Sequence, residues 1–334
     1  MKALRFLFML ALWLPGPGFA QKSLQEFTIS GYAQGTSYRI LYYAATEKVK
    51  KTEIDSVLQV LDQSMSLYRT QSLISRFNRS ADGMPVDLHF LKVYKKARQI
   101  YKATGGRFDA TVAPLVQLWG FGPQKISQFP DSASIQTALA TVGMDKLRQK
   151  GCFIQKKDPR VQLDFNGIAQ GYSVDVLATW LRKRPVQHFM VELGGELRVQ
   201  GIKGNGQPFH IGIEGPVDKA LSTPQIRHVI AFKRGAVTTS GSYQKYVQNG
   251  SRQITHLLDP KSGYPLANTM VSATVYAKDA ITADGYDNAL MAMTVDEALR
   301  FARQHRLEIY LIYRKSNGEL ADVWSAGFQK LIVN

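Results

Sequence analysis

The spacing of hydrophobic residues along the chain predicts a mixture of strands and helices. Alternating hydrophobic and polar residues indicate two strands at 27–33 and 37–43, joined by a turn at Gln34, Gly35 and Thr36. Helical spacing predicts helices over 53–67, 91–103, 131–141 and 172–183. The second half is richer in strands, predicted at 188–191, 197–201, 209–214, 228–232, 270–277, 309–313 and 322–333, with helices near 280–293 and 295–304.

These elements alternate irregularly, and many neighbouring strands have the spacing of hairpins. That order predicts an α+β fold with mixed, largely antiparallel sheets and flanking helices. No linker rich in Pro, Gly or Ser separates two halves, so we expect residues 21–334 to form one compact unit.

The first twenty residues have the pattern of a signal peptide. Lys2 and Arg5 form a basic start, residues 6–14 an apolar core, and residues 18–20 have the small-x-small pattern of a cleavage site. The apolar run is too short to span a bilayer comfortably. We therefore expect residues 1–20 to be removed and the protein to be exported to the periplasm, with an uncleaved membrane anchor as the alternative.

Charge and cysteine content narrow the classes of function. The formal net charge of +16 favours anionic partners, yet no basic run interleaves with aromatic residues, so we expect no binding to nucleic acid. Cys152 is the only cysteine, so no disulfide can form within the chain. The six histidines are scattered, which argues against a structural zinc site.

A polar stretch after residue 238 contains groups suited to a phosphate ligand. Thr239, Ser240 and Gly241 form a predicted turn whose hydroxyls can donate hydrogen bonds to phosphate, although an ordinary polar turn has the same composition. His256 follows a predicted strand and precedes an Asp-Pro-Lys-Ser-Gly turn. This histidine is either a catalytic group or a structural one.

The helix after residue 280 offers oxygen ligands for a hard cation. Asp284 and Asn288 are four residues apart and share one face of the predicted helix. A carboxylate and an amide oxygen suit Mg²⁺ or Ca²⁺, and Asp287 competes for the same role. A solvated helix start is the alternative, because the helix dipole favours acidic residues there.

Three turns in the first two hundred residues also suit a ligand site. Glycines at 105–106 precede Asp109 and Thr111, which offer a carboxylate and a hydroxyl. The segment 164–172 turns from a strand into a helix and offers free backbone amides and carbonyls. The double glycine before Glu196 indicates a bulge or a close approach to a ligand. A structural turn is the alternative for each of them.

Taken in their order along the chain, these motifs resemble the ApbE family, the FAD:protein FMN transferases. Each motif is weak alone, but the ordered set spans most of the mature chain and is specific. The matching positions are 34–36, Tyr68 with 72–78, 106–112 with 118–120, 167–172, 194–196, 239–241, 256–265 and 283–284.

The resemblance implies an ApbE-like, T-fold-related architecture and an exported enzyme. Such enzymes bind FAD and Mg²⁺, cleave the pyrophosphate and attach FMN through a phosphoester to a Ser or Thr of a target protein. Targets in the family include flavin-bearing subunits of membrane redox complexes. We therefore expect a flavin-acceptor protein as partner, and an enzyme that is not an integral membrane protein once its signal is removed.

The resemblance also implies roles for particular residues. The metal would be bound by the backbone carbonyl of Ala169, the carboxylate of Asp284 and the side chain of Asn288. His256 would accept the proton of the acceptor hydroxyl or, alternatively, orient the substrate. The residues expected to bind FAD are Gln34, Gly35, Thr36, Tyr68, Asp109, Thr111, Glu196, Thr239, Ser240 and Gly241.

The chain departs from the family pattern at four positions. Gln170 stands where Lys is usual, which removes a positive charge near the phosphates, and Asn288 stands where Thr is frequent. Glu196 and Ser242 stand where Asp is common, and the second change leaves any role of that position open. Because the metal carboxylate and the histidine are retained, we expect an active FMN transferase. FAD hydrolysis to FMN and AMP and a non-catalytic flavin carrier are the alternatives.

Overall fold

The computed structural model of the protein describes residues 24–216, 225–243, 246–249 and 252–333. The signal peptide predicted at 1–20 lies outside the described residues. The strands are β1 Gln25–Ala33, β2 Thr36–Ala44, β3 Gly83–Pro85, β4 Leu147–Lys150, β5 Phe153–Lys156, β6 His188–Leu193, β7 Glu196–Gln200, β8 Phe209–Glu214, β9 Ile226–Phe232, β10 Arg234–Gly241, β11 Tyr246–Asn249, β12 Arg252–Thr255, β13 Met270–Ala277, β14 Glu308–Arg314 and β15 Leu320–Trp324. The helices are α1 Lys51–Met65, α2 Leu73–Arg79, α3 Leu88–Ala103, α4 Ala113–Leu118, α5 Ser132–Leu139, α6 Ala169–Arg182, α7 Ala280–Met291, α8 Val295–His305 and α9 Ala326–Gln329.

One large sheet organises the fold. Its eight strands lie in the order β1-β2-β6-β7-β10-β13-β14-β15, and every neighbouring pair is antiparallel. The predicted α+β class with largely antiparallel sheets is therefore confirmed. Among the described helices, none has the length and apolar content needed to cross a bilayer.

Hydrophobic residues cover both faces of this sheet. In β2, Ile40 and Tyr42 face the larger core, whereas Leu41 and Tyr43 belong to a second core on the opposite face. Successive strand residues point to opposite faces, so this alternation lets one strand support two cores. The larger core contains residues of α1, α3, α6 and α7, and the smaller one contains residues of the β8–β9 hairpin and α9.

Three predicted elements differ from the structure. The turn predicted at 239–241 is instead the end of β10, where the Thr239 hydroxyl hydrogen bonds to that of Thr274 on β13 at 2.8 Å. The polar Thr239 side chain, which in the sequence indicates a turn, has its hydrogen bond satisfied by a residue of the neighbouring strand. The strand predicted at 322–333 ends at Trp324, because the Ser325 side chain accepts a hydrogen bond from Phe328 N–H and begins α9. The helix predicted from residue 172 already begins at Ala169.

Candidate active site

A single cavity brings together most of the residues that the sequence indicates. Its volume is about 730 Å³, which lies within the usual range of roughly 300–1,000 Å³ for ligand pockets. Twelve of the fourteen predicted site residues line it; Thr111 and Gly241 do not. The twelve are Gln34, Gly35, Thr36, Tyr68, Asp109, Ala169, Glu196, Thr239, Ser240, His256, Asp284 and Asn288.

Two tight hairpin turns form one wall of the cavity. The β1–β2 turn has left-handed backbone at both central residues, with φ of 53° at Gln34 and 76° at Gly35. This conformation is unusual for glutamine, and the Gln34 amide is fixed by donating to the Ser173 hydroxyl of α6 at 2.9 Å. In the β6–β7 turn, a Cβ on Gly194 would lie 2.8 Å from the Thr36 side chain, so only glycine allows the two turns to approach this closely.

A second, adjoining wall is formed where α6 crosses α7. Gly171 near the start of α6 donates its backbone N–H to the Asp284 carboxylate on α7 at 2.8 Å. A Cβ at Gly171 would lie 2.5 Å from the Ala280 carbonyl oxygen, so the crossing requires glycine. The Asp284 side chain is thereby buried with one oxygen held by the N-terminal end of another helix.

Asp175 fixes the start of α7 relative to α6. Its carboxylate accepts hydrogen bonds from the backbone N–H groups of Ala280 at 3.0 Å and Ile281 at 2.9 Å. It also forms a largely buried ion pair with Arg198 of β7. The Asp175 carboxylate therefore connects α6, α7 and the sheet at the start of the helix that carries Asp284.

The amide of Asn288 lies among the same oxygens. Its nitrogen donates to the Asp284 carbonyl at 3.0 Å, to the Asp287 carboxylate at 3.0 Å and to the Gly167 carbonyl at 3.3 Å. Its oxygen accepts a hydrogen bond from the Ser240 hydroxyl at 3.4 Å. Rotation of the amide by half a turn would direct the oxygen at this group of acceptors, and a cation among them would favour that orientation.

The electrostatics of the cavity contrast with those of the whole chain. Six carboxyl groups and two guanidinium groups line it, whereas the formal charge of the chain is +16. Burial raises the pKa of Asp284 against the opposing effect of the Gly171 N–H. Burial and the neighbouring charge of Asp284 raise the pKa of Asp287. Buried acidic groups of this kind suit a hard cation, which would favour their ionised forms.

Ala169 fits the expected metal site less directly than Asp284. It lines the cavity, but its carbonyl oxygen already accepts a hydrogen bond from the Ser173 hydroxyl at 2.8 Å. A metal bound there would share that oxygen with the hydroxyl. The atoms expected to bind the metal, from Ala169, Asp284 and Asn288, are all oxygens, which matches the ligand preference of Mg²⁺.

Thr111 lies behind Asp109 and supports it. The Asp109 carboxylate accepts the Thr111 hydroxyl at 2.6 Å and the Thr111 N–H at 2.7 Å. The same hydroxyl accepts the N–H of Gly143 at 2.6 Å. Burial raises the pKa of Asp109 to about 6, although these hydrogen bonds oppose the rise. Asp109 lines the cavity, and Thr111 fixes its orientation from outside it.

Tyr68 and His256 lie on separate segments that border the cavity. The Tyr68 side chain is 68% exposed, so its ring is available at the cavity surface for stacking on a planar ligand. His256 is half-buried after β12, with its ring 6.3 Å from that of Phe121. The following loop is held by the Trp119 indole, which donates to the Gly263 carbonyl at 2.8 Å.

Comparison with known proteins assigns the chain to a family. The family model described as the ApbE family matches residues 34–311, which is most of the chain. The chain belongs to the ApbE family. Among its relatives, the FAD:protein FMN transferase of Haemophilus influenzae is 34% identical over 324 residues, which cover 93% of each chain. That of Vibrio cholerae is 33% identical over 305 residues, covering 89% of this chain and 90% of the relative.

Solved structures of ApbE proteins share the fold. The flavin transferase ApbE from Vibrio cholerae has a TM-score of 0.84 at 33% identity, covering 92% of this chain and 99% of that one. The flavinyl transferase ApbE of Pseudomonas stutzeri, in its apo form, has a TM-score of 0.83 at 30% identity, covering 92% and 97%. The predictions of an ApbE fold, of the family and of an enzyme are thereby confirmed.

This ApbE chain also places in the cavity four residues that were not among the predicted site residues, although two of them, Arg107 and Asp164, lie in motifs that the sequence indicated. Asp62, at the end of α1, pairs with Arg69 at 3.5 Å, and Asp164 lies in the segment between β5 and α6. Arg107 donates to the Ala292 carbonyl and pairs with Glu297 at 3.0 Å. Asp62 and Arg69 flank the predicted contact Tyr68, and that proximity was the only signal available for them.

Proposed function

We propose that this chain transfers FMN from FAD to a Ser or Thr hydroxyl of another protein and releases AMP. The observation that carries the proposal is the single cavity, because residues from 34 to 288 that resemble the family motifs line it together. Its volume of about 730 Å³ is adequate for a ligand of dinucleotide size. The names of the curated relatives support FAD as the flavin donor.

In the proposed reaction, the acceptor hydroxyl oxygen forms a bond to the phosphorus of the FMN half of FAD. The bond from that phosphorus to the bridging oxygen breaks, and its electron pair leaves with AMP. The proton of the hydroxyl passes to His256. A histidine side chain ordinarily has a pKa of about 6.5, so this residue type can accept protons at neutral pH. Tyr68 would stack on the isoalloxazine ring, and the Thr239 and Ser240 segment would border the phosphates.

We also propose Mg²⁺ as the cofactor of this site, bound by Asp284, Asn288 and the Ala169 carbonyl. When bound, Mg²⁺ would neutralise charge on the pyrophosphate and on the departing AMP. The acidic lining supports this, since a pyrophosphate would otherwise face more carboxylates than arginines. Gln170 contributes no charge, and its amide instead hydrogen bonds to the Gln34 carbonyl at 3.4 Å.

The proposal is tested by following FAD and covalent flavin together. The purified enzyme, FAD and Mg²⁺ are incubated with a protein extract of the source organism, and flavin fluorescence is read from denaturing gels while AMP is quantified. We expect a fluorescent band and equimolar AMP, both abolished by chelator and by Asp284→Asn. The exposed Asp82 lies outside the cavity lining, so Asp82→Asn is the matched control. AMP without any labelled protein would support FAD hydrolysis, and intact FAD would refute both reactions.

We further propose that the enzyme acts in the periplasm on a subunit of a membrane redox complex. The support is the signal pattern of residues 1–20 and the family resemblance. Fractionation of cells that express the full chain, with N-terminal sequencing of the mature protein, tests export and cleavage near Gln21. An uncleaved chain in the cytoplasm would contradict it. Mass spectrometry of the labelled band identifies the acceptor.

A further inference from the structure

The outer edge of β1 carries backbone groups that have no strand partner among the described residues. β1 is the first strand of the large sheet, so in the described part of the chain only β2 pairs with it. The two-residue turn fixes the register, so that alternate residues of β1 exchange hydrogen bonds with β2. The backbone groups of Thr28, Ser30 and Tyr32 point the other way, and no described backbone group bonds to them.

Apart from one charged residue, Glu26, this edge lacks the features that usually protect exposed strands. β1 is nine residues long, contains neither Pro nor Lys, and pairs with β2 without a bulge. Thr28, Ser30 and Tyr32 also have exposed side chains, and that of Tyr32 is 74% exposed. A regular, uncovered edge of this length is a template for the addition of a strand from another protein.

The edge leads directly to the catalytic cavity. β1 ends at Ala33, and the side-chain amide of the next residue, Gln34, donates to the Ser173 hydroxyl at 2.9 Å. That hydroxyl in turn donates to the Ala169 carbonyl, an expected metal ligand, at 2.8 Å. The outside of the turn is open, because a Cβ on Gly35 would meet no atom within 4 Å. A strand added beside β1 would therefore reach the cavity within a few residues of passing Tyr32.

We propose that the flavin-acceptor protein docks an extended segment on the β1 edge and so presents its Ser or Thr to the cavity. This inference rests on the proposed function. A Ser or Thr hydroxyl lies only two bonds from its Cα, so the acceptor backbone itself must come to the cavity rim. An extended segment is the narrowest form of backbone, and pairing about 4.8 Å from β1 satisfies its hydrogen bonds while it fixes the register of the hydroxyl.

The enzyme side of the proposal is tested at Ser30. Ser30→Pro removes a backbone N–H that points away from β2, whereas Ser30→Ala removes only the side chain. With the acceptor identified by labelling, we expect Ser30→Pro to raise the KM for the acceptor roughly three- to tenfold, the range for one backbone hydrogen bond. The KM for FAD and the thermal melting temperature should match those of Ser30→Ala. Equal acceptor KM values in the two variants would overturn the proposal.

The acceptor side is tested with a synthetic peptide that spans the labelled residue. N-methylation of one backbone nitrogen at a time should lower labelling at every second position on one side of the labelled residue, before it for a segment parallel to β1 and after it for an antiparallel one, because alternate N–H groups of a paired strand face its partner. An effect without this period of two would overturn docking on β1. If a second copy of the chain occupies the edge instead, Ser30→Pro changes the oligomeric state and leaves the acceptor KM unchanged. Failure of the unchanged enzyme to label any protein would refute the proposed function itself.

Discussion

Replacing Gly171 by alanine tests whether the crossing of α6 and α7 positions the Asp284 carboxylate. An added Cβ would lie 2.5 Å from the Ala280 carbonyl oxygen and 2.7 Å from the Cβ of Asp284. Favourable contacts between carbon atoms are roughly 3.5–4.0 Å, so the two helices must separate by about 1 Å. The hydrogen bond from Gly171 N–H to Asp284, now 2.8 Å, would then exceed the usual limit of about 3.2 Å.

Two opposing effects set the size of the change in stability. Overpacking a close contact costs about 1–3 kcal/mol, whereas alanine in place of glycine favours a helix by about 1 kcal/mol. From these two effects we expect the free energy of unfolding to fall by about 0–2 kcal/mol, and the weakened hydrogen bond from Gly171 to Asp284 adds to this loss. A hydrogen bond to a charged group contributes about 1.5–3 kcal/mol, so the loss of transfer activity at limiting Mg²⁺ should be roughly tenfold to a hundredfold.

The assay combines urea unfolding with FMN transfer measured over a series of Mg²⁺ concentrations. Gly285→Ala is the matched control, because it also adds a Cβ to a helical glycine beside Asp284. The nearest atoms to that Cβ would be side-chain atoms, the flexible end of Ile100 at 2.3 Å and that of Ile168 at 3.2 Å. We expect a weakened response to Mg²⁺ in Gly171→Ala and a nearly normal one in Gly285→Ala. A normal response in both variants would refute the assigned role of the helix crossing.

Three further predictions concern groups in or next to the cavity. Asp175→Asn leaves the guanidinium of Arg198 largely buried without its carboxylate, so the free energy of unfolding in urea should fall by roughly 3–5 kcal/mol; no loss would show that the charge of Asp175 is dispensable. Thr111→Val removes a hydroxyl that donates to Asp109, so NMR titration should find the pKa of Asp109 above its value of about 6; weaker FAD binding with an unshifted pKa would favour a direct flavin contact instead. Folding raises the pKa of Asp109 from 3.8 to about 6, so between these pH values the folded protein binds this proton more tightly than the unfolded chain does. The free energy of unfolding should therefore fall as the pH rises from about 4 to about 6. Asp109→Asn should lack this fall, and an identical pH profile in the variant would contradict the assignment.

The sequence was most informative where a local pattern determines the structure. The alternation on both sides of Gln34 and Gly35 predicted a hairpin, and the structure has one with the turn at these two residues. The i, i+4 spacing of Asp284 and Asn288 placed both on one face of α7, and both line the cavity. Such features depend on neighbours along the chain, which a sequence displays directly.

Features that depend on distant partners were not predicted. Thr239 belongs to a strand because Thr274, thirty-five residues later, accepts or donates its hydrogen bond. Asp175 was not singled out, because its partners Ala280 and Arg198 become neighbours only when α6 packs against α7 and β7. The position of Thr111 behind Asp109 likewise depends on the N–H of Gly143.

The hydrogen bonds that assemble the cavity join segments that are far apart in the chain. Gln34 and Ser173 are separated by 139 positions, Gly171 and Asp284 by 113, and Trp119 and Gly263 by 144. Contacts of such high sequence separation form late, because they close the largest loops and lose the most chain entropy. Flavin binding should consequently appear only at the end of refolding, and bound FAD can serve as a signal that the whole chain, rather than one part of it, has folded.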